Sequence, residues 1–147
     1  MKRVLVTGGA GFIGSHLVDR LISDGFEVIV VDNMSLGKED NVNKKARLWK
    51  ADIKERGFLN QIFQLYQPIH CVFHCAAMPR IQPSIQNPDE SFTNNLLGTH
   101  NMLMAAKEAG VRRFVFSGSS SVYGDQNAFP IFETALTRPK NPYALHK

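Results

Sequence analysis

Cysteine is scarce, with two in 147 residues, too few to staple a fold. Cys71 and Cys75 fall in one expected strand, where their separation spans roughly 13 Å, beyond the reach of a disulfide. Reduced, buried thiols are the reading that follows. No second Cys or His pair stands at ligand spacing, so no metal site is expected. No apolar run approaches the about 20 residues of a membrane span. Met1-Lys2-Arg3 leads straight into a strand and a glycine turn rather than a signal-peptide core. The expected location is therefore the cytoplasm, without a membrane partner. The net charge of +4 comes from 17 Lys and Arg scattered against 13 Asp and Glu. With no long block of one sign, nucleic-acid binding gains no support, although the balance suits a phosphate-bearing ligand. Internal repeats and low-complexity linkers are also missing, and the length is that of one domain with its own core.

Glycine, in contrast, is concentrated at the start. Val4-Leu5-Val6 is a short run of strand formers, followed by Thr7-Gly8-Gly9-Ala10-Gly11-Phe12-Ile13-Gly14. Ile13, Leu17, Leu21 and Ile22 then recur at helical spacing. Strand, tight turn and helix in that order give glycine a physical use. A side chain would block positive φ in the turn, close backbone approach to a phosphate, and tight packing of helix on strand. Amides at the new helix start have no intrahelical partner, and with the helix dipole they favour a pyrophosphate. Gly9, Gly11 and Gly14 satisfy G-x-G-x-x-G, and Gly8, Gly11 and Gly14 the Thr-Gly-x-x-Gly-x-x-Gly variant.

The first helix is expected from Phe12 to about Asp24, closed by Gly25. A second strand, Phe26 to Val31, ends in Asp32, 18 residues after Gly14 and near the spacing of the acid that binds an adenine ribose. A carboxylate there repels a ribose 2′-phosphate, and no Arg follows at once, so the pattern favours NAD over NADP. Ala46 to Ala51 reads as a third strand leading to Asp52-Ile53, where Asp52 has a helix cap as its alternative role. Glu55 to Tyr66 has helical spacing through Phe58, Ile62, Phe63 and Leu65. Ile69 to His74 is a fourth, fully buried strand closing on Cys75-Ala76-Ala77, where Ala76 and Ala77 are small enough for a cofactor to pass. Met78 to Pro88, with three prolines and no periodicity, reads as a loop. Its place after a strand's carboxyl end is where doubly wound folds bind ligands. Glu90 to Ala109 is expected as one long helix with Leu96, Leu103 and Ala106 buried. Val111 to Phe116 is the fifth strand, then come the serines 117 and 119–121 and an irregular stretch to Pro142. Strands alternating with helices predict an α/β, Rossmann-type doubly wound parallel sheet of order 3-2-1-4-5.

Tyr143 and Lys147 stand four apart, on one face of a helix starting near Pro142. An ammonium beside a tyrosine favours the phenolate, which can then act as a base. Taken alone the pair is two surface residues; with a dinucleotide turn and a serine cluster after the fifth strand it becomes specific.

Over its whole length the chain resembles the amino-terminal part of an extended short-chain dehydrogenase/reductase of the NAD-dependent nucleotide-sugar epimerase and dehydratase group. The glycine turn, Asp32-Asn33, Asp52-Ile53, His74-Cys75-Ala76-Ala77, Asn95-Leu96-Leu97-Gly98-Thr99, Ser119 to Gly124, and Tyr143 to Lys147 carry the likeness. The resemblance implies Phe12 and Ile13 at the pyrophosphate turn, Asp32 and Asn33 on the adenosine ribose, and Asp52 with Ile53 at adenine. It implies Asn95 as support for the active-site region and Ser117 beside the cofactor, with ordinary helix and turn roles open for both. Ser119 would hydrogen-bond the sugar hydroxyl, Tyr143 would be the base, and Lys147 would orient the nicotinamide ribose. The 4,6-dehydratases of the group carry acids where this chain has Ser120 and Ser121, and the serines favour an epimerase. The implied reaction inverts C4 of a UDP-hexose by transient hydride transfer to bound NAD. Members of the group add a carboxyl-terminal substrate-binding region, so residues 1–147 are expected to be the NAD-binding domain without it. A homodimer, usual in the group, is the implied assembly. A truncated NAD-binding module without turnover, or another dehydratase or reductase of the group, stays open.

Overall fold

The computed structural model describes residues 2–147, and its centre is a parallel sheet of five strands in the order β3-β2-β1-β4-β5, as the sequence predicts. The strands are β1 (Arg3–Thr7), β2 (Glu27–Asp32), β3 (Arg47–Lys50), β4 (Cys71–His74) and β5 (Arg113–Phe116). In β1 and β2 the side chains alternate across the sheet, since successive residues of a strand face opposite ways. Val4, Val6, Val28 and Val30 pack with Val18 and Leu21 of α1 (Phe12–Ser23) on one face. Leu5, Ile29 and Val31 pack on the other with Leu59, Ile62 and Phe63 of α2 (Arg56–Leu65) and with Met102 and Ala105 of α5 (Gly98–Glu108). Each fully buried Leu or Ile contributes about 1.5–3 kcal/mol. Gly25, at positive φ, follows the helix that it is expected to close, and Gly110, also at positive φ, follows α5 in the same way.

Several expectations need correction. The expected loop Met78 to Pro88 contains α3 (Ile81–Gln86) and leads into α4 (Pro88–Ser91). Its prolines are compatible with helix because Pro83 and Pro88 lie in first turns, where an amide has no intrahelical partner to lose. The expected single helix Glu90 to Ala109 is α4, a π-helical segment Phe92–Leu97, and α5. Leu96 and Leu103, expected inside, are each 45% exposed, because the face turned to the core runs through Ser91, Asn95, Gly98, Met102 and Ala105. Asn95, Gly98 and Asn101 are buried instead. Ile13 of α1, and Phe58 and Leu65 of α2, are likewise exposed.

In β4 burial alternates: Val72 and His74 are buried, Cys71 and Phe73 only half-buried. The two free cysteines are thus partly rather than fully buried. Burial still pushes the Cys71 thiol up, with the Arg113 guanidinium opposing. Among the described residues no helix is long and apolar enough to cross a membrane, and no three His, Cys, Asp or Glu side chains group as metal ligands.

Candidate functional site

All five strands run the same way, and their carboxyl ends open on one cleft of about 1050 Å³. Its first wall is the glycine turn. Gly8 has φ +70, and a Cβ there would stand 2.7 Å from the Ala76 nitrogen. A Cβ on Gly14 would lie 2.1 Å from the Gly8 carbonyl oxygen, so α1 can start this close to the turn only without a side chain. The turn is closed by Gly11 N–H donating to Gly8 O at 3.1 Å, and Ser15 N–H donates to Gly11 O at 3.0 Å. No side chain caps α1. The amides of its first turn therefore lack an intrahelical partner at the cleft, which Phe12, Ile13 and Gly14 line. Phe12 and Ile13 are 80% and 69% exposed, so two large apolar side chains stand at the rim, Phe12 with the His16 ring 4.8 Å away.

The second wall begins at the end of β2. Asp32 is buried and its two carboxylate oxygens are occupied, Oδ2 accepting Ala10 N–H and Oδ1 accepting Met34 N–H, both at 2.9 Å. The same residue that lines the cleft thus ties the glycine turn to the loop after β2. Asn33 folds back, its Oδ1 accepting the amide and hydroxyl of Ser35, while its Nδ2 donates to Asp52 Oδ2 at 3.1 Å. Asp52 does not line the cleft; it supports Asn33, which does. Burial pushes the Asp52 carboxyl up, but the Lys54 amide, Asn33 and the Lys54 ammonium outweigh it and hold the group below its ordinary range. Ile53 lines the cleft and packs on Gly98, where a Cβ would stand 2.6 Å from Ile53 Cδ1.

Past β4, Cys75, Ala76 and Ala77 form the floor. Ala76 N–H donates to Thr7 Oγ1 at 3.1 Å, joining the floor to the end of β1. Asn95 lies beneath: its Oδ1 accepts Met78 N–H at 2.7 Å and its Nδ2 donates to Met78 O at 3.1 Å. This two-point clamp lies on the π segment and holds the wall without touching the cleft.

The last wall is α6 (Pro142–His146), from which Tyr143 and the adjoining Lys147 both line the cleft. Lys147 Nζ donates to Ser117 O at 2.6 Å and stands 4.9 Å from the centre of the Phe116 ring. Burial lowers the Lys147 ammonium from its ordinary range, with Cys75 opposing. Ser117 lines the cleft, its hydroxyl 3.3 Å from Cys75 Sγ. Ser119 does not. Its Oγ lies 2.6 Å from Ser121 Oγ and accepts the Ser121 amide, capping a 3-10 turn over Ser120–Tyr123.

Of the residues expected at the site, Gly8, Gly11, Phe12, Ile13, Gly14, Asp32, Asn33, Ile53, Ala76, Ala77, Ser117, Tyr143 and Lys147 meet in one cleft. Asp52, Asn95 and Ser119 stand behind or beside it. Sequence reasoning misses Thr7 and His74, which end adjacent strands in matched register and bond at 2.7 Å. It also misses the fully buried hydroxyls of Ser84 and Ser91. Arg80, at the cleft rim with φ +78, holds a backbone conformation that non-glycine residues rarely adopt.

The model of the NAD dependent epimerase/dehydratase family matches residues 4–147. UDP-glucose 4-epimerase of Streptomyces lividans is 39% identical over 145 residues, which are 99% of this chain and 44% of that protein. The solved structure of UDP-glucose 4-epimerase from Thermotoga maritima with UDP-glucose superposes with a TM-score of 0.96 at 39% identity, covering 99% of this chain and 47% of that one. That of Thermus thermophilus UDP-glucose 4-epimerase complexed with NAD gives 0.92 at 40% identity, covering 99% and 47%. The chain spans less than half the length of these relatives. With the family model matched across the glycine turn, the five strands and the Tyr143 to Lys147 helix, the chain belongs to the NAD-dependent epimerase/dehydratase family.

Proposed function

We propose that the cleft binds NAD and that the chain carries the cofactor half of a UDP-hexose 4-epimerase. The observation that carries this reading is that the glycine turn, Asp32 and the Tyr143 and Lys147 pair all open on one cleft. The Thermus thermophilus relative, solved with NAD, and the Thermotoga maritima relative, solved with UDP-glucose, support it. The residues present fit the cofactor: a turn closed to any Cβ at Gly14, uncapped amides at the start of α1, and an acid ending β2.

In this reading the α1 amides bind the pyrophosphate and Phe12 and Ile13 cover it. Asp32 and Asn33 hold the adenine ribose, with Asp52 orienting Asn33, and Ile53 flanks the base. Bound NAD supplies a hydride acceptor and donor at its nicotinamide ring. Tyr143 takes the proton of the sugar's C4 hydroxyl on its phenol oxygen and returns it after the 4-keto sugar has turned over. Lys147, held by the Ser117 carbonyl, orients the nicotinamide ribose and puts a positive charge one turn from the phenol. Ser120 and Ser121 carry no acid for the elimination of water, which favours epimerase over dehydratase. A cytoplasmic, dimeric assembly is part of the same proposal.

Incubation of the full-length protein that carries this chain with NAD and UDP-galactose, following inversion at C4 to UDP-glucose, tests the reading. Conversion is expected, and Tyr143→Phe should reduce it by about 10²- to 10⁴-fold with little change in NAD binding. Unchanged turnover in that variant would refute the base assignment. One observation favours a second reading, an NAD-binding module without turnover: Ser119, expected on the sugar hydroxyl, is engaged with Ser121 and does not line the cleft. NAD binding without any conversion would establish that reading.

A further inference from the structure

α6 has five residues, far too few for a helix to persist by itself, so its place is set from outside. Its first turn shows how. Pro142 has no amide to satisfy. Ala144 N–H donates to Asn141 Oδ1 at 2.8 Å and Leu145 N–H to Asn141 O at 3.1 Å, both local to the helix. The Tyr143 amide is bound by another element: it donates to Ser84 Oγ of α3 at 3.0 Å. Ser84 is fully buried, and its own hydrogen is committed to Ile81 O at 2.6 Å, which leaves a lone pair for Tyr143. At the far end of α6, His146 Nδ1 lies 3.0 Å from Ser91 Oγ of α4, which is also fully buried. Lys147 is held separately by Ser117 O. Three tethers therefore seat the helix, and the one at Ser84 acts on Tyr143 itself.

We infer that Ser84 is a positioning residue for Tyr143: its buried hydroxyl fixes the start of α6 and so the place of the phenol in the cleft. The inference rests on the proposed role of Tyr143, but the seat is a property of the chain without any ligand. It gives α3 and α4 a use. They carry no cofactor contact of the glycine-turn kind, yet present two fully buried hydroxyls to the helix that bears the proposed base.

The test uses the 147-residue chain labelled with 15N and with 13C in its tyrosine rings. Without ligand, Ser84→Ala is expected to speed hydrogen exchange of the Tyr143 amide by about ten- to a hundredfold while amides of β1, β2 and β4 keep their rates. The Tyr143 ring signal, assigned by its loss in Tyr143→Phe, should move toward the position of free tyrosine. Ser84→Thr, which keeps the hydroxyl, should restore both readouts, and Ser91→Ala should leave the ring signal near its wild-type position. Added NAD should shift that ring signal in the wild-type chain, and Ser84→Ala should lose the shift while still binding NAD. An unchanged Tyr143 amide and ring signal in Ser84→Ala would overturn the inference, as would equal acceleration of every amide. Failure of the wild-type chain to bind NAD would overturn the cofactor reading instead, and the ligand-free exchange data would still decide the role of Ser84.

Discussion

Gly14→Ala is expected to abolish NAD binding and to destabilise the chain. The added Cβ would stand 2.1 Å from the Gly8 carbonyl oxygen and 2.8 Å from both the Gly8 carbonyl carbon and the Gly9 Cα. All three are backbone atoms of the turn, so no side chain can swing aside. Either α1 moves off the sheet or the turn opens, and both displace the uncapped amides from their common focus. Overpacking of this kind costs about 1–3 kcal/mol, with the upper end expected where backbone must move. Gly57→Ala is the contrasting change. Gly57 lies in α2 with nothing within 4 Å of a new Cβ, and removing a helix glycine should add about 0.5–1 kcal/mol of stability. Thermal unfolding and NAD titration of the two variants check this pair. Undiminished NAD binding in Gly14→Ala would show that the dinucleotide does not use the turn.

A large loss of stability is also expected on mild acidification, from His74. The imidazole is buried between strands, with ring neighbours Phe114 at 5.6 Å and Phe116 at 5.9 Å. Thr7 Oγ1, which accepts the Ala76 amide, lies 2.7 Å from His74 Nδ1, and Thr99 Oγ1 lies 2.9 Å from His74 Nε2, so both ring nitrogens are hydrogen-bonded. In the neutral imidazole one ring nitrogen donates and the other accepts, and a second ring proton would turn the accepting nitrogen into a donor facing a hydroxyl that had been donating to it. Burial first, and the Lys147 ammonium second, hold the His74 pKa down to about 4. The unfolded chain takes this proton near pH 6.5 and the folded chain only near 4. Stability is therefore full above about pH 6.5, falls as pH drops through that window, and levels below it. The contribution is about 3 kcal/mol across the window. Denaturant unfolding at about pH 7 and about pH 4.5 measures the loss, and His74→Asn should shrink it by about 2–3 kcal/mol. Equal losses in the two proteins, or an imidazole NMR titration near pH 6.5, would contradict the buried neutral histidine.

What can be read from the residues is what depends on local chemistry. Gly8 and Gly14 are demanded by the turn's own backbone. Alternation in β1 and β2 follows from the pleat, and Asp32 is placed by its distance from the turn. Tyr143 and Lys147 are four apart, the spacing that shares a helix face, although α6 ends at His146 and the Ser117 carbonyl holds Lys147. The misreadings lie where tertiary structure overrules local pattern. Prolines 83 and 88 read as breakers, but their positions in first turns make them harmless to α3 and α4. Leu96 and Leu103 read as core because they are apolar, but the face that packs inward carries the polar Ser91 and Asn95, and Asn95 is held there by its clamp on Met78, made across 17 residues. In the sequence Ser84 falls in the expected loop and Ser91 in the expected long helix, and nothing in either neighbourhood marks them. The docking of α6 on α3 and α4 brings Ser84 the Tyr143 amide and Ser91 the His146 ring.

Calorimetric titration of the 147-residue chain with NAD and with NADP tests most directly whether the cleft is a dinucleotide site of the NAD type. One NAD per chain is expected, with NADP at least about tenfold weaker because the buried Asp32 carboxylate repels a 2′-phosphate. No binding of NAD, or NADP binding as tightly, would contradict it.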